Sequence, residues 1–177
     1  MSTTQPDFSG HFTLAELLVH ALVIELEAVQ SYKELAAQME QCGNSEVADV
    51  FAQMSKLEAA HAKKIREKAG DMALPELAPW EYRWPGLEAP ENVDVSNIHY
   101  LMTPHQALEL ALDNEVNALA FFEAIADGCT DKRVRSLARE FAEDERQHVA
   151  WMEDWLTKYP EPPSDWDYDP DPPAEID

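Results

Sequence analysis

The sequence contains little cysteine and little glycine. Its two cysteines, Cys42 and Cys129, form no CxxC pair, which excludes a disulfide scaffold and a cysteine-ligated zinc or iron–sulfur site. Only five of the 177 residues are glycine, whereas 45% are hydrophobic, and this composition favours helices over a turn-rich all-β fold. No apolar run is long enough to span a membrane and the first residues do not resemble a signal peptide, so we expect a cytoplasmic protein.

Basic residues are also scarce. The chain has 13 Lys and Arg against 35 Asp and Glu, which gives a formal net charge of −22. A surface this acidic repels phosphate backbones and anionic lipid headgroups. We therefore expect neither nucleic acid nor a membrane among its partners.

Hydrophobic periodicity predicts four long helices, over about 13–41, 45–69, 104–127 and 131–158. Gly43, Gly70 and Gly128 follow the first three helices, at positions where glycine commonly ends a helix. Thr103 and Pro104 form a typical start for the third helix, as a cap followed by proline at the first helical position.

The stretch 71–102 holds four prolines and separates the two helical pairs. A helix of about 25 residues is roughly 38 Å long, and a connection of this length is able to run back along it. We therefore predict an all-α fold of the ferritin-like four-helix bundle type, with two antiparallel hairpins joined by a long crossover. The bundle would occupy 13–158, after an N-terminal extension at 1–12 and before an acidic, proline-rich tail at 159–177 that we predict to be disordered or loosely docked.

Each predicted helix has an apolar stripe that is interrupted near its middle by an acid. The acids are Glu25, Glu58, Glu115 and Glu145, and the second and fourth helices add His61 and His148 three residues after their glutamates. That spacing places each Glu and His on the same helix face. The other four histidines have no glutamate at this spacing, and we expect none of them, including His20 at the surface or boundary, to bind metal.

Buried carboxylates that face one another need a compensating positive charge. No Lys or Arg lies on the four stripes, and two metal ions would supply that charge. Glutamate and neutral histidine offer oxygen and nitrogen ligands suited to iron or manganese. The positions of the four glutamates along the helices agree with this interpretation. If Gly43 is the turn of the first hairpin, Glu25 lies 18 residues before it and Glu58 lies 15 after it. If Thr130 is the turn of the second hairpin, Glu115 and Glu145 each lie 15 residues from it.

These residues resemble the rubrerythrin-like branch of the ferritin superfamily. The resemblance is carried by four motifs over about residues 13–157, namely Glu25-x6-Tyr32, Glu58-x-x-His61, Glu115-x6-Phe122 and Glu145-x-x-His148. It implies two iron ions, with manganese or a mixed pair as alternatives. It also implies that Glu25 and Glu115 are terminal ligands, that Glu58 and Glu145 bridge the metals, and that His61 and His148 complete one metal each.

Two departures from the rubrerythrin pattern are visible. No rubredoxin module with four cysteines is present, so the electron donor is unknown. Rubrerythrins also carry a further glutamate one turn after the third-helix ligand, where this chain has Ala118. The resemblance is therefore to shorter relatives that lack rubredoxin, and it implies a homodimer.

The function that these observations favour is an enzyme, a non-haem di-iron oxidoreductase that reacts with hydrogen peroxide or dioxygen. Tyr32 is the candidate catalytic residue, and a purely structural role for it, as an aromatic side chain in the core, is an equal alternative. Three other functions stay open: a ferroxidase that takes Fe(II) as substrate, an oxygenase of an organic substrate, and a metal-free helical scaffold that binds a partner protein.

Overall fold

A computed structural model describes residues 12–86, 88–93 and 98–170. Within these residues the structure has four α-helices, which are α1 (Leu14–Gln41), α2 (Ser45–Ala69), α3 (Pro104–Gly128) and α4 (Lys132–Leu156), and a short 3-10 helix at Pro79–Glu81. No β-strand occurs in these ranges, and the predicted all-α fold is confirmed. Within the same ranges, no helix combines the length and the apolar character needed to cross a membrane.

Reciprocal side-chain caps start two of the helices. The Thr13 hydroxyl accepts a hydrogen bond from the Glu16 amide at 3.1 Å, and the Glu16 carboxylate accepts one from the Thr13 amide at 2.7 Å. Thr103 and Gln106 form the same arrangement before α3, with Pro104 at its first position. These caps satisfy backbone groups that have no partner inside the helix, and so they set where each helix begins.

The helices pack as two antiparallel hairpins, α1 with α2 and α3 with α4. Gly43, with φ of 76°, makes the turn between α1 and α2, and Gly70, with φ of 52°, ends α2. Residues with a Cβ atom rarely adopt positive φ, so glycine fits both positions. Asp131 starts α4 by accepting a hydrogen bond from the Arg133 amide at 2.8 Å.

The hydrophobic core consists of two clusters rather than one continuous interior. The first contains Leu18, Phe122 and Val134, and the second contains Tyr32 and Phe51. Each helix contributes to both clusters, and on each helix the change from one cluster to the other falls at the predicted acidic position. A polar layer therefore divides the apolar core at a single level of the bundle.

The crossover is fixed to the bundle by a buried histidine. We expected His20 at the surface or boundary, and this expectation is wrong, because the ring is buried. Its Nδ1 lies 2.7 Å from the Glu16 carbonyl, and its Nε2 accepts a hydrogen bond from the Arg83 amide at 3.1 Å. Phe12, Tyr82 and other aromatic rings surround it. His20 has a structural role that the helix pattern alone did not reveal.

Both predicted terminal segments include residues that pack on the bundle. Phe12, assigned to the N-terminal extension, is buried in the first cluster. Part of the acidic tail, residues 159–170, contacts the bundle. Trp166 packs on the second cluster and against the His99 ring, and the Tyr100 hydroxyl donates a hydrogen bond to Asp169 at 2.6 Å. Residues 1–11 and 171–177 lie outside the described residues.

Candidate metal centre

The structure brings together all six residues that were predicted as metal ligands. Helices α1 and α3 contribute one glutamate each, and α2 and α4 contribute a glutamate and a histidine each. Their exposed fractions lie between 1% and 8%. The residues are Glu25, Glu58, His61, Glu115, Glu145 and His148. The packing of the two hairpins therefore gathers them in the polar layer between the clusters, while their binding of metal stays a prediction.

One half of the centre is built around His61. Its Nδ1 lies 3.0 Å from Glu58 Oε2, on the same face of α2, and 3.7 Å from Glu25 Oε2 across the hairpin. Glu25 Oε2 is buried and accepts no hydrogen bond. This half thus has an oxygen whose lone pairs have no partner in the protein.

The other half is built around His148. Its Nδ1 lies 2.9 Å from Glu145 Oε2 and 3.2 Å from Glu115 Oε2. The two halves thus repeat one pattern, with a histidine between the glutamate of its own helix and that of the neighbouring helix in the hairpin.

The two histidine rings join the halves. The ring centroids of His61 and His148 are 3.9 Å apart, and the ring planes differ by only 9°. Glu58, His61 and His148 offer ligand atoms that all lie within 4.8 Å of one another, and so do Glu115, Glu145 and His148. His148 belongs to both groups, so the site is one continuous cluster of ligands.

Burial and mutual repulsion shift the pKa values of these groups. Burial lowers the pKa of both histidines, but the carboxylates beside them outweigh it and raise that of His61 to about 9 and that of His148 to about 10. Burial, together with Glu58 and Glu145, raises the pKa of Glu115 to about 8. Burial also raises the pKa of Glu25 well above its usual range. The metal-free interior therefore favours bound protons at both kinds of group.

A further carboxylate, Glu91, lies in the same cluster and was not predicted. It comes from the crossover, is 1% exposed, and offers a ligand atom within 4.8 Å of those of Glu25 and Glu58. The six other residues were predicted from the apolar stripes of the helices, and this method does not apply to Glu91 because the crossover is not helical there. Glu91 lies in a turn that is closed by the hydrogen bond from the Asn92 amide to the Ala89 carbonyl, so no periodic pattern in the sequence marks it as an inward-facing acid.

Tyr32 lies beside the centre and is fully enclosed. Its hydroxyl oxygen accepts a hydrogen bond from Asn114 Nδ2 at 3.1 Å. Burial and the nearby Glu115 and Glu58 raise its pKa well above the usual range, so its proton is firmly held. Asn114, a buried neighbour of Glu115 on α3, was not predicted either.

A pocket of 310 Å³ leads to the centre between α2 and α4. Glu25, His61, Glu145 and His148 line its inner part, and Ile65 and Phe141 add apolar walls. The pocket gives a small molecule access to the ligand residues from one side of the bundle.

Trp151 stacks on His148, with ring centroids 5.5 Å apart, and is partly exposed.

The donor set fits a pair of iron or manganese ions. Carboxylate oxygens and imidazole nitrogens are their usual protein ligands. Buried polar atoms normally have hydrogen-bond partners, yet Glu25 Oε2 and both Glu91 oxygens have none. Cations at these positions would satisfy the unpartnered oxygens and offset the repulsion among the carboxylates.

Replacing Glu25 by glutamine separates a ligand role from a scaffold role. In the metal-free protein, Glu25→Gln should leave the free energy of unfolding unchanged or raise it by about 1 kcal/mol, because an ionisable group that is buried among other carboxylates is replaced by a neutral amide. The increase in Tm on adding Fe(II) should shrink, and affinity should fall at least about tenfold. Glu27→Gln, an exposed position two residues later, is the control and should behave like the parent chain. An unchanged metal response of Glu25→Gln would remove Glu25 from the ligand set.

The pKa shifts predict how the stability of the metal-free protein depends on pH. A raised histidine pKa contributes stability that is present below about pH 6.5 and is lost as pH rises through about 9 to 10. The raised pKa of Glu115 also favours the fold at low pH and loses this contribution from about pH 4.5 to about 8. Tm should therefore fall between pH 5 and pH 10.

Two comparisons check this pH dependence. His148→Gln should flatten the decrease of Tm between pH 7 and pH 10, whereas His105→Gln, whose ring contacts the Tyr159 carbonyl away from the centre, should retain it. Metal ions require deprotonated ligands, so the stabilisation by added metal should grow as pH rises. A metal-free Tm that increases over this range would contradict the assignment.

Comparison with known proteins shows the family to which this chain belongs. The family model described as Rubrerythrin matches residues 16–156. A solved crystal structure of an uncharacterized conserved protein from Magnetospirillum magnetotacticum MS-1 is similar, with 38% sequence identity, a TM-score of 0.65, and coverage of 86% of this chain and 99% of that one. Comparison with curated proteins gave no match. The match covers most of the chain, and membership of this family supports a di-iron protein. Because of this match and the similarity to the Magnetospirillum protein, we conclude that the chain belongs to the Rubrerythrin family.

Proposed function

We propose that the protein is a non-haem di-iron oxidoreductase that reduces hydrogen peroxide or dioxygen. The observation that carries the proposal is the pair of Glu–His clusters, one around His61 and one around His148, that share a buried interior reached by a pocket. Family membership adds support for two iron ions. The ions would be held by Glu25, Glu58 and His61 on one side and by Glu115, Glu145 and His148 on the other, with Glu58 and Glu145 as bridges.

The bound iron pair would supply two electrons to the substrate. Reduction of one hydrogen peroxide to two waters consumes two electrons and two protons, so the cycle requires an external reductant to restore the protein. The two cysteines form no CxxC pair, so these 177 residues offer no cysteine-ligated redox site as the donor, and the donor is unknown.

The protein residues control access and protons. Ile65 and Phe141 line the route to the centre with apolar surface, and the two core clusters would exclude water on either side of the polar layer. Carboxylates in a dry interior interact more strongly with a developing charge than they would in water. Tyr32, whose hydroxyl is oriented by Asn114 beside the centre, would donate a proton there.

Anaerobic loading with Fe(II) tests this function. The protein should bind two iron ions per chain, and stopped-flow spectra should show faster oxidation by hydrogen peroxide than by dioxygen. A chain that binds no iron would contradict the proposal. Faster reaction with dioxygen together with growth of a ferric mineral would instead identify the alternative, a ferroxidase that uses the same residues.

Tyr32→Phe tests the proton-donor role separately from metal binding. The hydroxyl does not belong to the ligand set, so iron content should stay at two per chain, while peroxide turnover should fall by about 100-fold if the hydroxyl supplies a proton. Loss of the hydrogen bond with Asn114 should cost about 1 kcal/mol of stability. Tyr168→Phe, at an exposed tyrosine, is the control. Unchanged turnover in Tyr32→Phe would mean that Tyr32 is a core aromatic residue only.

A further inference from the structure

We propose that Glu91, from the crossover, is a seventh protein ligand of the metal centre and its fifth carboxylate. This inference rests on the proposed di-iron function and extends it, because the six residues predicted from the sequence all lie on the four helices. Glu91 lies on none of them.

The surroundings of the Glu91 side chain point to a cation. Neither carboxylate oxygen has a hydrogen-bond partner, although the residue is 1% exposed. Its carboxylate, Glu25 and Glu58 each offer a ligand atom, and these three atoms lie within 4.8 Å of one another. Among the described residues, Glu25 Oε2 is the only other buried side-chain oxygen or nitrogen without a partner. The unpartnered oxygens thus all belong to this one group of three glutamates.

The backbone around Glu91 is held firmly. Asn114 Nδ2 donates a hydrogen bond to the Glu91 carbonyl at 3.3 Å, and the Asn92 amide donates one to the Ala89 carbonyl at 3.0 Å. Ala89 packs in the first hydrophobic cluster and Val93 in the second. The segment therefore bridges the two clusters, and the side chain between these anchors is directed into the polar layer.

A purely structural role does not account for this placement. A buried carboxyl group among other carboxylates, with no donor to satisfy it, opposes folding. Helix α3 contributes a single carboxylate to the centre, since Ala118, one turn after Glu115, has no ligating atom. Coordination by Glu91 would supply a further oxygen donor on the side of Glu25 and Glu58, which makes that half of the centre the richer in oxygen.

Metal binding by the full chain tests the inference. Glu91→Gln keeps the size of the side chain and removes its charge, and Glu88→Gln, at an exposed position of the same segment, is the matched control. After removal of metal with a chelator, each protein is titrated anaerobically with Fe(II), and bound iron and Tm are measured. The parent chain and Glu88→Gln should bind two ions. Glu91→Gln should bind one ion normally and the other at least about tenfold more weakly.

The metal-free proteins separate coordination from folding. Metal-free Glu91→Gln should have a Tm equal to or above that of the parent chain, with a smaller increase in Tm on adding Fe(II). Parent-like affinity for both ions in Glu91→Gln would overturn the inference and leave the di-iron function intact. A lower metal-free Tm in Glu91→Gln would also overturn it, because it would show a structural role. A parent chain that binds no Fe(II) would overturn the di-iron function and this inference with it.

Discussion

The burial of several carboxylates at one level of a helical bundle is the constraint on which the rest of this structure depends. Five glutamates and two histidines occupy a layer between two apolar clusters. Without metal, the neighbouring carboxylates outweigh burial and raise the pKa of His148, whereas burial and the nearby Glu58 and Glu145 raise that of Glu115. Both groups therefore retain protons, and these protons reduce the repulsion among the carboxylates. Metal ions would replace those protons, so the same cluster of side chains serves as a proton store or as a ligand set.

The helical part of this layer follows from the sequence because helical geometry is regular. A period of 3.6 residues determines which side chains share a face, and the position of Gly43 determines how far each helix extends from its turn. Glu58 and His61 are therefore placed on the interior face by local spacing alone. Their height relative to Glu25 follows from counting residues through the turn, and no knowledge of the packed structure is needed.

The crossover could not be predicted in the same way, because an irregular segment has no single period. Glu88 and Glu91 are indistinguishable by composition, yet the first is exposed and the second is buried in the centre. What separates them is a set of distant contacts, in particular the hydrogen bond from Asn114 to the Glu91 carbonyl. His20 was misjudged for the same reason, since the aromatic residues that pack around it, such as Tyr82, lie far away in the sequence.

A ligand on the crossover would differ physically from a ligand on a helix. Glu58 and Glu145 are carried by helices whose backbone hydrogen bonds form within the helix itself, so their positions survive small changes elsewhere. Glu91 depends on tertiary contacts, because its carbonyl is held by Asn114 and the same amide group also orients the Tyr32 hydroxyl. A change in the crossover that moved Glu91 would disturb the partner of Tyr32 at the same time. Through Asn114, the crossover thus connects the oxygen-rich half of the centre to the residue proposed to handle protons.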